Sequence, residues 1–367
     1  VPAKVQTTAT WCPKGSIQWA LVDFIGRYKG GKPAEYRLKV MPTLPAPRTT
    51  TLKCAETADK IVVDTGAVRF EVGKKKFAGI ETAWYDSTGA GKYDEANPVV
   101  KGAGGPYLVD GRLIRFDSSF DTKTSVVLEE AGPVRATICA TGWYTGPEAR
   151  SGPPLCQYVT RITACAGQSQ IRVSHRTILT YDTRLNWLAD CGFRIATPAE
   201  RFRLGADGAV KEGKLPAGTV YLHQDQAHHF RIVGMADKPV EGKASDGWFA
   251  VRGAEDKAPE VAVVLREIWQ KFPKEVEMDK EGVTLHFWPK HGRRSFAFED
   301  ELKIKNIYKF WCFHQGPMMN LTLPMDYYEK FTTDYSAAGA DGTGECRPEH
   351  ALNGNGQGLA IGNEFEV

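Results

Sequence analysis

Long apolar runs are missing from this sequence. No stretch approaches the about 20 residues that a helix needs to cross a bilayer, so no membrane partner is expected. A dominant charge is missing too: 47 Lys and Arg stand against 44 Asp and Glu, for a net charge of +3. That charge is spread along the chain, and no basic field predicts a nucleic-acid partner. There is no P-loop and no GxGxxG between strand and helix, and Gly354-Asn355-Gly356-Gln357-Gly358 reads as a flexible loop. Neither a GxSxG elbow nor an HExxH helix occurs, which leaves serine-hydrolase and metalloprotease readings without support. CxxC pairs and zinc-finger spacings are absent, and Asp341-Gly342-Thr343-Gly344-Glu345 falls short of an EF-hand oxygen set. The expectation is therefore no cofactor and no metal. The opening VPAKVQTTATW has neither an initiator Met nor the apolar core of a signal peptide, as in a processed form or a piece of a longer protein.

What is present is ordinary globular material: 42% hydrophobic and 25% charged residues over 367 positions, enough for two or three cores. The 37 Gly and 21 Pro, with many Thr and Val, favour strands joined by turns. Eight cysteines (Cys12, Cys54, Cys139, Cys156, Cys165, Cys191, Cys312 and Cys346) allow disulfides in a secreted protein or a set of buried free thiols. Asn320-Leu321-Thr322 is a single glycosylation sequon.

Period-two alternation marks strands at Ser16–Phe24, Ala34–Val40, Lys60–Asp64, Ala67–Val72, Ile80–Tyr85, Leu113–Asp117 and Ser125–Glu129. The longest runs, Val134–Tyr144, Tyr158–Ala166 and Ile171–Tyr181, predict an antiparallel meander. Thr219–Leu222, His229–Val233, Gly247–Arg252, Val261–Arg266 and Gly282–Trp288 continue the series. Two such sheets face to face make a sandwich, so the fold class is all-β and antiparallel. Helix is scarce, with Arg266–Phe272 and Met325–Thr332 as short candidates. Ala337–Gly358 reads as loop. Leu359–Val367 alternates as a strand that needs a partner. A Pro-rich linker at Pro42, Pro45 and Pro47 puts a domain boundary near Ala55.

Three features carry chemistry. In His228-His229-Phe230-Arg231, adjacent histidines point to opposite faces, so one at most joins a given site. It serves there as a base or ligand contact, or else one caps a strand and the other is solvated. In Trp288-Pro289-Lys290-His291-Gly292-Arg293-Arg294 a strand runs into a basic loop. An aromatic face beside guanidinium suits a sugar ring carrying a carboxylate, while the plainer reading is a core Trp followed by a solvated turn. Lastly, Trp84-Tyr85, Trp143-Tyr144, Trp187, Trp248 and Trp269 either fill cores or offer saccharide platforms.

Thr8-Ala9-Thr10-Trp11 followed by Gly15-Ser16-Ile17-Gln18-Trp19-Ala20-Leu21-Val22-Asp23-Phe24 resembles the signature of exo-acting rhamnogalacturonan lyase-like proteins. Cys12-Pro13-Lys14 stands where a Pro-Asp pair is usual. Asp64–Phe70, Glu130–Ala136, Tyr158–Gly167, Arg172–His175, His229–Arg231, Val264–Lys274 and Leu285–Pro289 resemble that family's central β-sandwich in order and spacing. The resemblance implies a partial N-terminal RIFT-type small barrel over 1–55 and a large antiparallel β-sandwich over 56–300. An irregular segment, 301–367, would lead towards an α/α toroid beyond this piece.

It also implies β-elimination on a uronic acid-containing polysaccharide, in a secreted protein of pectin degradation located outside the cell or in the periplasm. Residue chemistry nominates His229 and His175 for proton transfer and Arg231 for the substrate carboxylate. Trp288, Lys290, His291, Arg293 and Arg294 are nominated for binding, with no metal. The alternative is a non-catalytic glycan-binding or structural β module of an extracellular assembly. Open sheet edges would offer such a module contacts with another chain.

Overall fold

The structure, a computed structural model, describes residues 1–12, 15–26, 30, 34–39, 49–147, 152–180, 188–255, 258–289, 291 and 360–367. In chain order the strands begin with β1 (Ala3–Thr10), β2 (Ile17–Phe24), β3 (Lys53–Glu56), β4 (Lys60–Asp64), β5 (Val68–Gly73), β6 (Thr82–Tyr85), β7 (Val100–Lys101) and β8 (Gly105–Asp110). Next come β9 (Arg115–Asp117), β10 (Ser125–Ala131), β11 (Arg135–Trp143), β12 (Cys156–Cys165), β13 (Ile171–Leu179), β14 (Leu188–Ala196), β15 (Arg201–Ala206) and β16 (Ala209–Lys214). The last are β17 (Val220–Gln226), β18 (His229–Val233), β19 (Val240–Gly242), β20 (Ser245–Arg252), β21 (Glu260–Leu265), β22 (Lys274–Asp279), β23 (Gly282–Trp288) and β24 (Ala360–Glu366).

These strands form a nine-stranded sheet (β10-β11-β12-β13-β24-β21-β20-β15-β16) and an eight-stranded sheet (β19-β18-β17-β22-β23-β14-β8-β9). A five-stranded sheet runs β3 to β7, and β1 pairs with β2. All the named pairings are antiparallel, and the expected all-β class is what the described residues adopt.

Alternation explains the two large layers. In β12 and β13 every second side chain is buried, and Ile162, Val173 and Phe365 turn inward beside Val263 and Leu265. From the other sheet Leu222, Val276, Leu285 and Phe193, cross-strand neighbours in one row, turn to meet them. Aromatic contacts join the layers at their middle: Phe193 lies 5.0 Å and Phe287 6.1 Å from Phe365, ring centre to ring centre. The five-stranded sheet is tied to the sandwich by Ser118 Oγ donating to Phe77 O at 2.7 Å and Thr65 Oγ1 donating to Gln168 O at 2.7 Å.

The expected meander is present as β11-β12-β13. The expected terminal strand is β24, and it has two partners, β13 and β21, in the interior of the nine-stranded sheet. Two expectations fail. Arg266–Phe272 is a turn rather than a helix, because Glu267 has φ 55°, outside the right-handed helical region. Ala34–Lys39 pairs in no strand, and its side chains are exposed, so its alternation has no core to face. Met325–Thr332 and Ala337–Gly358 lie outside the described residues, as do Asn320, Cys312 and Cys346. The six described cysteines are free, and Cys139, Cys156 and Cys191 are buried. Burial pushes the Cys191 thiol up to about 12, so it behaves as a small hydrophobe.

Candidate functional site

Polar chemistry collects on the other side of the eight-stranded sheet, away from the nine-stranded one. Strand register sets it in a row: Glu241, Arg231, His223, Glu275, His286, Gly192, Tyr107 and Asp117 are successive cross-strand partners from β19 to β9. A second row on the same face holds Tyr221, Glu277, Thr284 and Arg194. Residues two apart share a face, so His223 brings Tyr221 and Asp225 with it, and Arg231 brings His229.

At the centre the row is buried. His286 places Nδ1 2.9 Å from Asp190 Oδ1 and 3.0 Å from Tyr107 Oη. Tyr107 Oη also donates to Asp190 Oδ2 at 3.2 Å. Glycine at 192 makes room for this reach, since a Cβ there would stand 2.9 Å from Tyr107 Oη and 2.1 Å from Leu285 O. On its other side His286 Nε2 looks at Glu277 Oε2, 3.4 Å away, and Glu275 Oε1, 3.8 Å away, with no hydrogen-bond partner.

Glu275 is fully buried and also meets His291 Nδ1 at 2.7 and 2.9 Å. His223 Nδ1 lies 3.0 Å from Glu275 Oε2, but its N–H is not directed at that oxygen. Neither ring nitrogen of this fully buried His has a hydrogen-bond partner.

Burial works against the charges here, and the neighbours outweigh it. Desolvation raises the Glu275 carboxyl, yet His223, His291 and His286 bring it down to about 2. Desolvation lowers His286, yet Asp190, Glu277 and Glu275 lift it to about 10. A buried group network of this kind contributes little net stability when intact. It is expensive to break, because removing one partner strands the others.

Towards β18 the face opens. His229, whose side chain is 37% exposed, holds Nδ1 2.5 Å from Asp225 Oδ1. Arg231 stands two residues along the same strand, and its Nε is buried without a hydrogen-bond partner. His291 stacks on Tyr221, 4.4 Å between centres at 9°. Burial, with Glu275 and Glu277, raises the Tyr221 phenol, so it stays protonated at neutral pH.

Of the residues nominated from sequence, His229, Arg231 and His291 therefore share one face. His175 does not. It lies in the interior, with Tyr144 Oη and Thr160 Oγ1 each 2.8 Å from its ring nitrogens and Phe287 stacked at 5.7 Å. Burial alone takes it down to about 3. Trp288 is buried beside Cys191 at the end of β23, the core role weighed for it. Lys290, Arg293 and Arg294 lie outside the described residues, as does Trp187. Trp84 is buried under the Arg69 guanidinium, whereas Trp143 and Trp269 keep 36% and 39% exposure.

Sequence reasoning did not nominate His223, Glu275, Glu277, His286, Asp190 or Tyr107. A signal existed in part: Glu275 and Glu277 alternate with Val276 and Met278, and His286 stands between Leu285 and Phe287. The strand predicted over Thr219–Leu222 stops one residue before His223, whereas β17 runs on to Gln226.

Comparison with known proteins adds a family. Residues 52–203 match the PcRGLX-like protein central beta sandwich domain. No curated protein matches the sequence. Among solved structures, a putative aldose 1-epimerase from Escherichia coli K12 aligns over 86% of this chain and 98% of its own, at 9% identity. Its TM-score is 0.36, a likeness that carries no argument here.

Proposed function

We propose, from the match of residues 52–203 to the PcRGLX-like protein central beta sandwich domain, that the chain belongs to the exo-rhamnogalacturonan lyase-like family and cleaves an acidic polysaccharide by β-elimination at a uronic acid unit. The observation that carries this reading is the Asp225–His229 pair beside Arg231 on one open face. Elimination needs a cation for the carboxylate, a base for the C5 proton and a proton for the leaving oxygen.

Arg231 suits the first need, since guanidinium binds carboxylate in a fork. His229 suits the second. With its Nδ1 proton directed at Asp225, the lone pair sits at Nε2, as in other bases oriented by a carboxylate. The C5–H bond gives its proton to Nε2, its electron pair forms the C4–C5 double bond, and the C4–O bond breaks. The released oxygen takes a proton from water, and nothing is oxidised or reduced. His291 stacked on Tyr221 offers a flat rim for a sugar ring. A place outside the cell or in the periplasm belongs to this reading, since such polymers are met there.

The test is incubation of the chain with rhamnogalacturonan, a homogalacturonan and a neutral glucan, following ultraviolet absorbance of unsaturated uronate. Product from an acidic polymer and none from the glucan is expected. Binding of the acidic polymer without product would replace the lyase by the non-catalytic glycan-binding module. Neither binding nor product would overturn the reading altogether.

A further inference from the structure

Glu275, Glu277 and His286 each turn one donor atom into the same small space, all within 4.8 Å of one another. Such a group can be only a buried ion-pair network, and two further observations speak against that. His286 is 3% exposed, and its Nε2, facing both carboxylates, has no hydrogen-bond partner. Fully buried His223 stands beside Glu275 with both ring nitrogens unsatisfied. Buried polar atoms left without partners carry a desolvation cost that native proteins seldom leave uncompensated. A bound cation would remove that cost for His286 Nε2 and draw the two carboxylates together.

We infer that Glu275, Glu277 and His286 form a binding site for one divalent transition-metal ion, of the zinc or manganese type. The imidazole sets the class: calcium prefers six to eight oxygen ligands, whereas mixed imidazole and carboxylate sets suit zinc and its neighbours. Orientation supports it as well. Asp190 Oδ1 sits 2.9 Å from His286 Nδ1 and holds a proton on that side, so a metal would take the place of the proton at Nε2, which is released to solvent on binding. A carboxylate behind a ligating histidine is the usual outer partner of such sites. Tyr107 Oη, 3.2 Å from Asp190 Oδ2, braces that carboxylate in turn. Three protein ligands leave a coordination position open, the arrangement of sites whose metal meets a further ligand.

The site stands independently of the lyase reading, and so does its test. The chain is stripped with EDTA, dialysed, and titrated with zinc alone and with manganese alone. The readouts are bound metal by elemental analysis after gel filtration and the unfolding temperature. About one equivalent of one metal and a raised unfolding temperature are expected. Glu277→Gln, which keeps the size of the side chain and removes its charge, should abolish that equivalent while leaving the far-ultraviolet circular dichroism unchanged. Asp190→Asn should weaken affinity about 10- to 100-fold, as loss of an outer partner does. Should Glu277→Gln fail to fold, the Asp190→Asn titration decides alone. Wild-type protein that takes up neither metal, or variants that bind as wild type does, would overturn the site.

Discussion

His175, His223, His229 and His286 are one side chain in four electrical settings. His175 sits between the sheets among hydroxyls and rings with no carboxylate beside it, so burial wins and the neutral ring is favoured. Its pKa in the folded chain, about 3, lies below the about 6.5 of an unfolded histidine. Between those values the unfolded chain binds a proton that the folded chain refuses, so stability rises with pH across that window and is full above it. We expect the gap in unfolding temperature between wild type and His175→Gln to narrow from pH 7 to pH 4; a gap indifferent to pH would contradict this. Gly192→Ala tests the row itself. A methyl group 2.1 Å from Leu285 O forces strands apart and should cost about 1–3 kcal/mol in a denaturant titration.

At the scale of the element, β24 shows how far period-two reading carries. Its alternation was legible, and so was the need for a partner. Its place between β13 and β21 was not, since nothing local in the sequence names a neighbour so distant along the chain. Phe365 is fully buried there against Phe193 and Phe287. Phe365→Ala should destabilise the chain by about 3–5 kcal/mol by thermal or denaturant unfolding.

The site follows the same rule. His229 and Arg231 were legible because they share one strand, β18. Glu275 and His286 lie on different strands, and Asp190 lies on β14, for which no strand was expected. Their meeting depends on register across the sheet, a non-local property. His175 went the other way. A histidine on a strand carries no sign of which face is the interior, and only the pairing of the two sheets decided it.

At the scale of the molecule, one sheet does two jobs. Its inner face closes the core with Leu222, Val276, Leu285 and Phe193, and its outer face gathers the charged row. Such a layer holds reactive side chains on rigid elements, which sites of acid–base chemistry need. The match of residues 52–203 to a PcRGLX-like protein central beta sandwich domain and this face together make the outer side of the eight-stranded sheet the place to test for catalysis.

The central claim is that Asp225, His229 and Arg231 perform the elimination, and His228 supplies the control. It is an exposed histidine in the turn just before β18. The decisive measurement is the rate of unsaturated-uronate formation from the best acidic polymer with His229→Ala beside His228→Ala. Loss of an acid–base group should lower the rate about 100- to 10,000-fold for His229→Ala, with His228→Ala as active as wild type. Equal activity in both variants would contradict the account and remove the chemistry from this face.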